Sequence, residues 1–342
     1  MSPLVEPITA ALPAGVALVL GLALPAAVLP LLRRLGVVDV PGERSSHTRP
    51  TVRGMGLATA AATVIAVAAA FALSLIPVDR SILLTVLLGM LASGALGWVE
   101  DYSGLAVRWR ALCQLGIGVV VAGLLTLFLG TALWWVPVGA VAIAGYINVV
   151  NFMDGLNGIS GLHGLVVGGA YTYAGWATDI PWLTVCGAAI GAAYLAFLPW
   201  NLAGRRVFLG DTGSYFLGGA IACCAVGAFL SDVYVEYLLS PLIIYLADTG
   251  STLLKRIYRG EAWYRPHRQH VYQRLTDVGL GHLGSAAVVT LATLGVTVVS
   301  VLSLPFESGG VAGMGALVLC IVVLYLASPR LVGALTKRGA AA

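Results

Sequence analysis

The sequence predicts an all-α, polytopic membrane protein. Of its 342 residues, 59% are hydrophobic and only 10% are charged, whereas about 25% of the residues in an average soluble domain carry charge. Eleven apolar runs approach or exceed the roughly 20 residues that a helix needs to cross a bilayer. We therefore expect one integral membrane domain over residues 1–342, with polar connecting segments on one side.

The apolar runs follow one another with short connections, and no soluble domain or internal repeat interrupts them. The 43 glycines suit close packing between membrane helices. The predicted helices cover approximately residues 8–32, 57–77, 81–99, 111–130, 132–149, 159–178, 181–199, 213–230, 234–254, 283–303 and 310–328.

Lysine and arginine are unevenly divided between the two sides of these helices. If the N-terminus lies outside, the inner segments hold all 19 basic residues except Arg80. Those segments are 33–56, 100–110, 150–158, 200–212, 255–282 and 329–342. Because such residues concentrate in cytoplasmic loops, we expect an outer N-terminus, a cytoplasmic C-terminus and chemistry on the cytoplasmic side.

The first inner loop is rich in arginine and hydroxyl side chains. Residues 39–56 read DVPGERSSHTRPTVRGMG and include Arg44, His47 and Arg53. Guanidinium and hydroxyl groups suit the recognition of phosphate. A basic inner loop also suits contact with anionic lipid, and this loop alone leaves both interpretations open.

An acidic pair, Glu100 and Asp101, stands at the end of the third predicted helix. Two carboxylates at a membrane boundary can hold a hard cation such as Mg²⁺. A solvated helix end is the alternative interpretation of the pair.

A run of amides follows the fifth predicted helix in the segment NVVNFMDGLNG. Asn148, Asn151, Asp154 and Asn157 recur every three residues. If the helix continues that far, this spacing places them on roughly one face. Such a polar face beside apolar helix is costly without a ligand, so the pattern favours a functional role.

The segment Asp211-Thr212-Gly213-Ser214 immediately precedes the eighth predicted helix. Asp211 could serve simply as an N-cap. A helix N-terminus also attracts phosphate, and a carboxylate there can carry the metal ion that bridges it. Asn201 precedes this segment in the same inner loop.

The longest inner loop, residues 255–275, combines cations with aromatic and imidazole side chains, among them His267 and His270. This mixture suits a nucleotide or a sugar phosphate. It equally suits a lipid interface.

Two other classes of protein share some of these features. D-T-G-S occurs at both Asp211 and Asp248, as in aspartic proteases, but the copies are too close in sequence for the two lobes of such an enzyme. A polytopic transporter or flippase of lipid-linked sugars places ionisable residues near the bilayer midplane. Here nearly every carboxylate falls at a predicted helix end on one side, which favours an enzyme.

Taken together, the inner segments resemble the polyprenyl-phosphate N-acetylhexosamine-1-phosphate transferases, glycosyltransferase family 4, which include the phospho-N-acetylmuramoyl-pentapeptide transferases. The resemblance rests on five segments in order, between residues 39 and 275. They are DVPGERSSHTRPTVRGMG, EDYSGLAVRWRALCQ, NVVNFMDGLNG, FLPWN with VFLGDTGS, and ADTGS with RPHRQHVYQRL. Any one segment would be weak support, whereas five in this order are specific.

The resemblance implies that an N-acetylhexosamine-1-phosphate passes from a UDP-sugar to undecaprenyl phosphate, which releases UMP and starts a lipid-linked glycan such as O-antigen or a cell-wall polysaccharide. It also implies Mg²⁺ (or Mn²⁺) as cofactor and a bacterial inner membrane, with the site facing the cytoplasm. Membrane lipids and a homodimer are further implied partners, and nucleic acid is not one.

The same resemblance assigns catalytic roles to four carboxylates: Glu100, Asp101, Asp154 and Asp211. Asp211, with Asp154 beside it, would hold the metal, and the acidic pair would position or deprotonate the lipid phosphate. Substrate-binding roles fall on eleven side chains: Arg44, His47, Arg53, Asn148, Asn151, Asn157, Asn201, Arg265, His267, Arg268 and His270. Direct displacement and a covalent phosphoryl-carboxylate route both fit this set.

The chain departs from the family pattern at three places. Glu100 stands where the family usually has aspartate, Asn157 replaces a second aspartate, and Tyr272 follows His270 where further histidines are common. The last loop is closer to the O-antigen initiating branch. Tyr272 would place a neutral, partly apolar ring in the sugar pocket where a histidine could carry charge, and a sugar without a 6-hydroxyl needs less polar surface. Because a pocket that lacks a partner for the 6-hydroxyl rejects that hydroxyl only weakly, we expect UDP-N-acetylfucosamine or UDP-N-acetylquinovosamine to be preferred, with residual use of UDP-GlcNAc.

Overall fold

The structure is a computed structural model that describes residues 5–39, 50–202, 207–262, 267–305 and 308–339. Helices dominate these ranges, which confirms the all-α class. The helices are α1 (Pro7–Arg34), α2 (Gly56–Ala72), α3 (Arg80–Ser103), α4 (Val107–Leu129), α5 (Trp135–Met153), α6 (Ile159–Ala177), α7 (Pro181–Leu202), α8 (Gly210–Leu230), α9 (Val235–Leu239), α10 (Ile243–Tyr258), α11 (Val271–Asp277), α12 (Gly281–Ser303) and α13 (Ser308–Gly339). A 3₁₀ turn, Ser240–Leu242, joins α9 to α10.

Within the described ranges, nine helices are long and apolar enough to cross a membrane, with α9 to α10 counted as one. Each of the eleven predicted segments coincides with a helix or with the α9–α10 run. The two that fall short of the criterion are α2, with 17 residues, and α6, which is less apolar. The multi-pass membrane architecture is therefore confirmed, whereas the orientation of the chain stays a prediction.

The helix ends differ from the apolar boundaries in a consistent way. Helix α3 continues to Ser103, so Glu100 and Asp101 lie on its last turn. The run predicted as 234–254 is interrupted by the 3₁₀ turn at Pro241, whose ring removes a backbone donor, and then continues to Tyr258. Hydropathy therefore identifies the apolar part of each helix, whereas the helix itself extends beyond that part into polar residues.

Two helices form the centre of the bundle. Helices α7 and α8 are buried along most of their length, whereas α13 exposes nearly all of its apolar surface. Helix α8 packs against α3 and α5, and α7 packs against α1 and α6. Small residues allow the close approach; a Cβ at Gly97 of α3 would collide with the backbone carbonyl of Asp211 in α8.

A two-stranded sheet that the sequence did not predict joins the entries of α2 and α8. Strand β1 (Val38–Asp39) pairs antiparallel with β2 (Thr51–Val52), and Val52 forms a parallel bridge to Val207. The strands have only two residues each, too few for a recognisable pattern. They bring the end of the first inner loop beside the first turn of α8.

Candidate active site

Three helix ends meet at one site through direct hydrogen bonds. Asp101 on the last turn of α3 accepts a bond from the Thr212 amide of α8 at 2.8 Å. Asn151 near the end of α5 donates its side-chain amide to Oδ1 of Asp211 at 2.7 Å. Three of the five segments that carry the family resemblance are thus in contact, although up to 111 residues separate the bonded partners.

Both carboxylate oxygens of Asp101 are bonded to other residues of the chain. Its Oδ1 accepts the Asp211 amide at 3.0 Å, and its Oδ2 also accepts the Thr212 hydroxyl at 2.7 Å. The Arg53 guanidinium donates to the Asp101 carbonyl at 2.9 Å, and its Nε lies 3.5 Å from Oδ1. The Asp101 side chain has no exposed surface. It therefore caps α8 from the neighbouring helix.

Glu100 is bonded on one oxygen only. Its Oε1 accepts a bond from Nη1 of Arg110 at 2.8 Å, while Oε2 is buried and has no partner among the described residues. A buried carboxylate oxygen without a partner carries the full cost of desolvation. Glu100 is therefore the member of the acidic pair that can accept a ligand.

Asp211 is partly exposed on the first turn of α8. Asn151, which donates to its Oδ1, also donates to the Ser214 hydroxyl at 3.1 Å, one turn further along α8. No described residue donates to Oδ2 of Asp211. The carboxylate is held in one orientation and keeps one oxygen for a ligand.

Asp154 follows the last residue of α5, and its Oδ1 accepts the Ser160 hydroxyl at 2.6 Å. Burial raises the pKa of Asp154 to about 8; the Ser160 hydrogen bond opposes this shift, and the carboxylates of Asp211 and Asp101 add to it. Such a carboxyl binds a proton near neutral pH unless a cation replaces it. Asp154 is therefore near enough to Asp211 and Asp101 to feel their charge.

The donor set fits a hard cation that is shared with a substrate. Within the described ranges, no three His, Cys, Asp or Glu side chains converge as a complete metal site. Mg²⁺ commonly binds through one or two carboxylates, with water and substrate phosphate as its other ligands. Asp211 and Asp154, each with one oxygen in an internal bond, supply the oxygen donors that Mg²⁺ or Mn²⁺ prefers.

The remaining asparagines lie apart from this cluster. Helix α5 ends at Met153, so the prediction that one helical face extends to Asn157 is wrong. Asn148 donates to Gln114 of α4. Asn201 bonds the Gly158 amide through its carbonyl and donates to the Val207 carbonyl at 2.9 Å, which joins two loops. Their roles in substrate binding stay predictions.

A second buried network surrounds Asp248 of α10. Its Oδ1 accepts the Val271 amide at 3.0 Å and lies 3.1 Å from Nδ1 of His270, and its Oδ2 accepts the Tyr325 hydroxyl at 2.6 Å. His270 also forms a capping box with Gln273 at the start of α11. Asp248 therefore fixes both α11 and the His270 ring.

His267 stacks on His270, with ring centroids 4.9 Å apart, and its buried Nδ1 has no described partner. Burial, with His270 and Arg256 nearby, lowers the pKa of His267 to about 4. Its ring is therefore neutral at pH 7. Arg268 pairs with Asp277 at 3.1 Å on the surface, where such a pair exchanges readily for another anion.

Tyr272 is part of the packed interior. Its side chain is buried, and its hydroxyl donates to the Phe152 carbonyl at 2.9 Å. The structure therefore gives no support to a role for Tyr272 in sugar recognition. Arg44, His47 and Arg265, also predicted to bind substrate, lie outside the described residues.

The sequence was compared with known proteins. The model of glycosyl transferase family 4 matches residues 83–228, which contain all four predicted catalytic carboxylates. A probable undecaprenyl-phosphate N-acetylglucosaminyl 1-phosphate transferase of Bacillus subtilis is 27% identical over 284 residues, 77% of each chain. These matches support the resemblance to glycosyl transferase family 4.

Two further relatives match more than two thirds of this chain. A phospho-N-acetylmuramoyl-pentapeptide-transferase of Halalkalibacterium halodurans is 29% identical over 68% of this chain and 80% of its own. A decaprenyl-phosphate N-acetylglucosaminephosphotransferase of Mycobacterium tuberculosis is 27% identical over 74% of this chain and 72% of its own. The predicted resemblance is confirmed.

Several polar groups were missed as site residues in the sequence analysis. Arg110 and Gln114 lie one turn apart on α4 and bond to Glu100 and Asn148; their i, i+4 spacing was the available signal. Asp248 was noted as a second D-T-G-S copy and within the segment ADTGS, but it was given no role. It lies inside a candidate span, as in transporters, but its bonds hold α11.

Proposed function

We propose that this chain transfers an N-acetylhexosamine-1-phosphate from a UDP-sugar to undecaprenyl phosphate and releases UMP. The observation that carries the proposal is the hydrogen-bonded cluster of Asp101, Asn151 and Asp211, which unites three of the segments behind the family resemblance. The printed functions of the relatives, transferases that act on undecaprenyl or decaprenyl phosphate, support the same reaction class.

The reaction joins two anions, so the site must first neutralise negative charge. The nucleophile is an oxygen of the lipid phosphate, which is already largely ionised at pH 7 because its second pKa is about 6. This oxygen bonds to the phosphorus that carries the sugar, the bridge to the nucleotide phosphate breaks, and UMP leaves with the electron pair. A strong general base is not required.

In this scheme Asp211 and Asp154 would hold Mg²⁺ or Mn²⁺, which would offset the charge of the donor diphosphate. When bound, the ion withdraws negative charge from the phosphates. Arg53 and Arg110 are partly exposed. Their guanidinium groups pair with Asp101 and Glu100, respectively. Glu100 would orient the lipid phosphate through the oxygen that has no partner among the described residues, and His270, held by Asp248, would contact the donor.

The sugar is the least constrained part of the proposal. We retain the preference for a 6-deoxy sugar, UDP-N-acetylfucosamine or UDP-N-acetylquinovosamine, on the likeness of the last loop to the O-antigen initiating branch. Tyr272 does not contribute to this preference, since its ring is buried. UDP-GlcNAc is the main competing donor, and the product would start O-antigen or another surface glycan.

The proposed setting is the bacterial inner membrane, with the site facing the cytoplasm. Its support is the distribution of basic residues, all of which except Arg80 fall on the predicted inner side. A nucleotide sugar is available in the cytoplasm, which agrees with that orientation. Membrane lipids and a second copy of the chain are the other proposed partners.

The experiment uses purified protein, Mg²⁺, undecaprenyl phosphate and a panel of radiolabelled UDP-sugars. The expected result is label in the lipid fraction together with an equal amount of UMP, and no transfer in EDTA. Absence of lipid-linked label with every donor would contradict the proposal. Full activity in EDTA would remove the metal ion but leave the transfer.

A further inference from the structure

Asp101 has no capacity left for a substrate. Its Oδ1 accepts the Asp211 amide, and its Oδ2 accepts both the amide and the hydroxyl of Thr212. Arg53 occupies the remaining side, with its Nε 3.5 Å from Oδ1. Because the side chain is also fully buried, a lipid phosphate cannot reach it without breaking these bonds.

The partners of Asp101 are at the start of the helix that carries the proposed metal ligand. The first amides of a helix have no carbonyl partner within it. Asp101 accepts two of them in α8, and one of the two belongs to Asp211 itself. The backbone from which the Asp211 carboxylate extends is therefore attached to α3.

Close backbone packing between α3 and the start of α8 further restricts the position of Asp211. A Cβ at Gly97, one turn before Asp101 on α3, would collide with the Asp211 carbonyl. Gly210, the first residue of α8, has φ +76, and a Cβ there would lie 2.5 Å from the Gly54 amide nitrogen and 2.6 Å from Oδ2 of Asp101. Few side chains tolerate this conformation, so the contact is specific for glycine.

We propose that Asp101 is a positioning residue that fixes the Asp211 carboxylate for the metal ion and does not itself act on the lipid phosphate. The inference rests on the proposed function, in which Asp211 is a metal ligand. Groups that orient a metal ligand typically change metal affinity by about 10–100-fold when they are removed. The two adjacent acids then have separate tasks, since Glu100 makes no bond to α8 and keeps one oxygen without a partner among the described residues.

The test compares Asp101→Asn and Thr212→Val with a matched control, Thr249→Val. Thr249 occupies the same place in the second D-T-G-S segment, is buried, and its hydroxyl has no described partner. Mn²⁺ binding is measured on the purified proteins without substrate, by electron paramagnetic resonance. Hydrogen exchange is followed in the peptide that covers residues 209–216.

Asp101→Asn should weaken Mn²⁺ binding by about 10–100-fold, and Thr212→Val by roughly fivefold, as expected for one lost hydrogen bond. Both should speed amide exchange at the start of α8. Thr249→Val should stay within about twofold of the unmodified protein. In turnover assays, Asp101→Asn should raise the Mg²⁺ concentration for half-maximal activity but leave KM for undecaprenyl phosphate nearly unchanged.

Unchanged Mn²⁺ affinity in Asp101→Asn, together with a raised KM for the lipid, would overturn the inference and return Asp101 to the substrate. If Asp101→Asn does not fold, Thr212→Val decides the matter by the same measurements, and equal Mn²⁺ affinity in Thr212→Val and Thr249→Val overturns the inference. An unmodified protein that binds no Mn²⁺ would instead refute the proposed metal site, so the two failures are distinguishable.

Discussion

The two D-T-G-S segments of this chain have the same four residues and different surroundings. Asp211 lies on the first turn of α8, partly exposed, with one oxygen bonded to Asn151. Asp248 lies in the interior of α10, fully buried, and accepts bonds from α11 and from Tyr325. In its bonding Asp248 resembles Asp101, since each caps a neighbouring helix. Position relative to a helix start, rather than the tetrapeptide, decides what the aspartate does.

The largest effect is expected for Asp211→Asn. The amide keeps the shape and a carbonyl oxygen for Asn151, but it loses the charge that a metal ion requires. Turnover should fall by at least about a thousandfold, roughly 4 kcal/mol of barrier, while the melting temperature stays within about 3 °C. Turnover and thermal unfolding in detergent check the two parts. Activity within about tenfold of the unmodified enzyme would reduce Asp211 to a cap.

Asp248→Asn should show the opposite balance. An amide nitrogen would face the backbone donors of α11, and an unmatched buried polar network of this kind costs about 3 kcal/mol or more. The melting temperature should fall by roughly 5–10 °C. Turnover per folded molecule should fall less than in Asp211→Asn. Equal melting temperatures for Asp211→Asn and Asp248→Asn would contradict the view that only Asp248 has a structural role.

Asp154 belongs to the proposed metal site with Asp211, and its pKa is raised to about 8. Metal binding at this site should therefore depend on pH. The carboxyl binds a proton below about pH 8 in the free protein, and a metal ion must displace that proton. Mn²⁺ affinity should therefore rise as pH rises from 6 to 8, by up to about tenfold per unit. Asp154→Asn should bind more weakly and with little pH dependence. A pH dependence that survives this substitution would assign the titration to another group.

Much of the fold could be predicted from composition because a membrane span is a long, local pattern. Each of the eleven predicted segments coincides with a helix or with the α9–α10 run. The two-residue strands and the short helix α11 could not be predicted, because tertiary bonds such as those of Asp248 stabilise them. The break at Pro241 follows from the proline itself, which the predicted span 234–254 did not take into account.

For the candidate site, the order of the motifs identified the segments, but it could not show which residue of each segment has which role. Glu100 and Asp101 are adjacent and chemically alike, so no pattern could show that only Asp101 caps α8. Asn157 was misplaced because α5 ends earlier than its three-residue spacing suggested. Tyr272 was assigned to the sugar because its buried position depends on α10 and on the chain around Phe152.

The smallest effect is expected for Tyr272→Phe, which tests a residue of the buried network around Asp248. The substitution removes only the hydroxyl that bonds the Phe152 carbonyl, a loss of about 1 kcal/mol. The melting temperature should fall by roughly 2–4 °C, because the ring still fills the same space against Gly155. The ratio of catalytic efficiencies for UDP-GlcNAc and a 6-deoxy donor should stay within about twofold, since the hydroxyl does not reach the substrate. A donor ratio that shifts by about tenfold at unchanged stability would place Tyr272 in the sugar pocket and restore the interpretation that its burial now opposes.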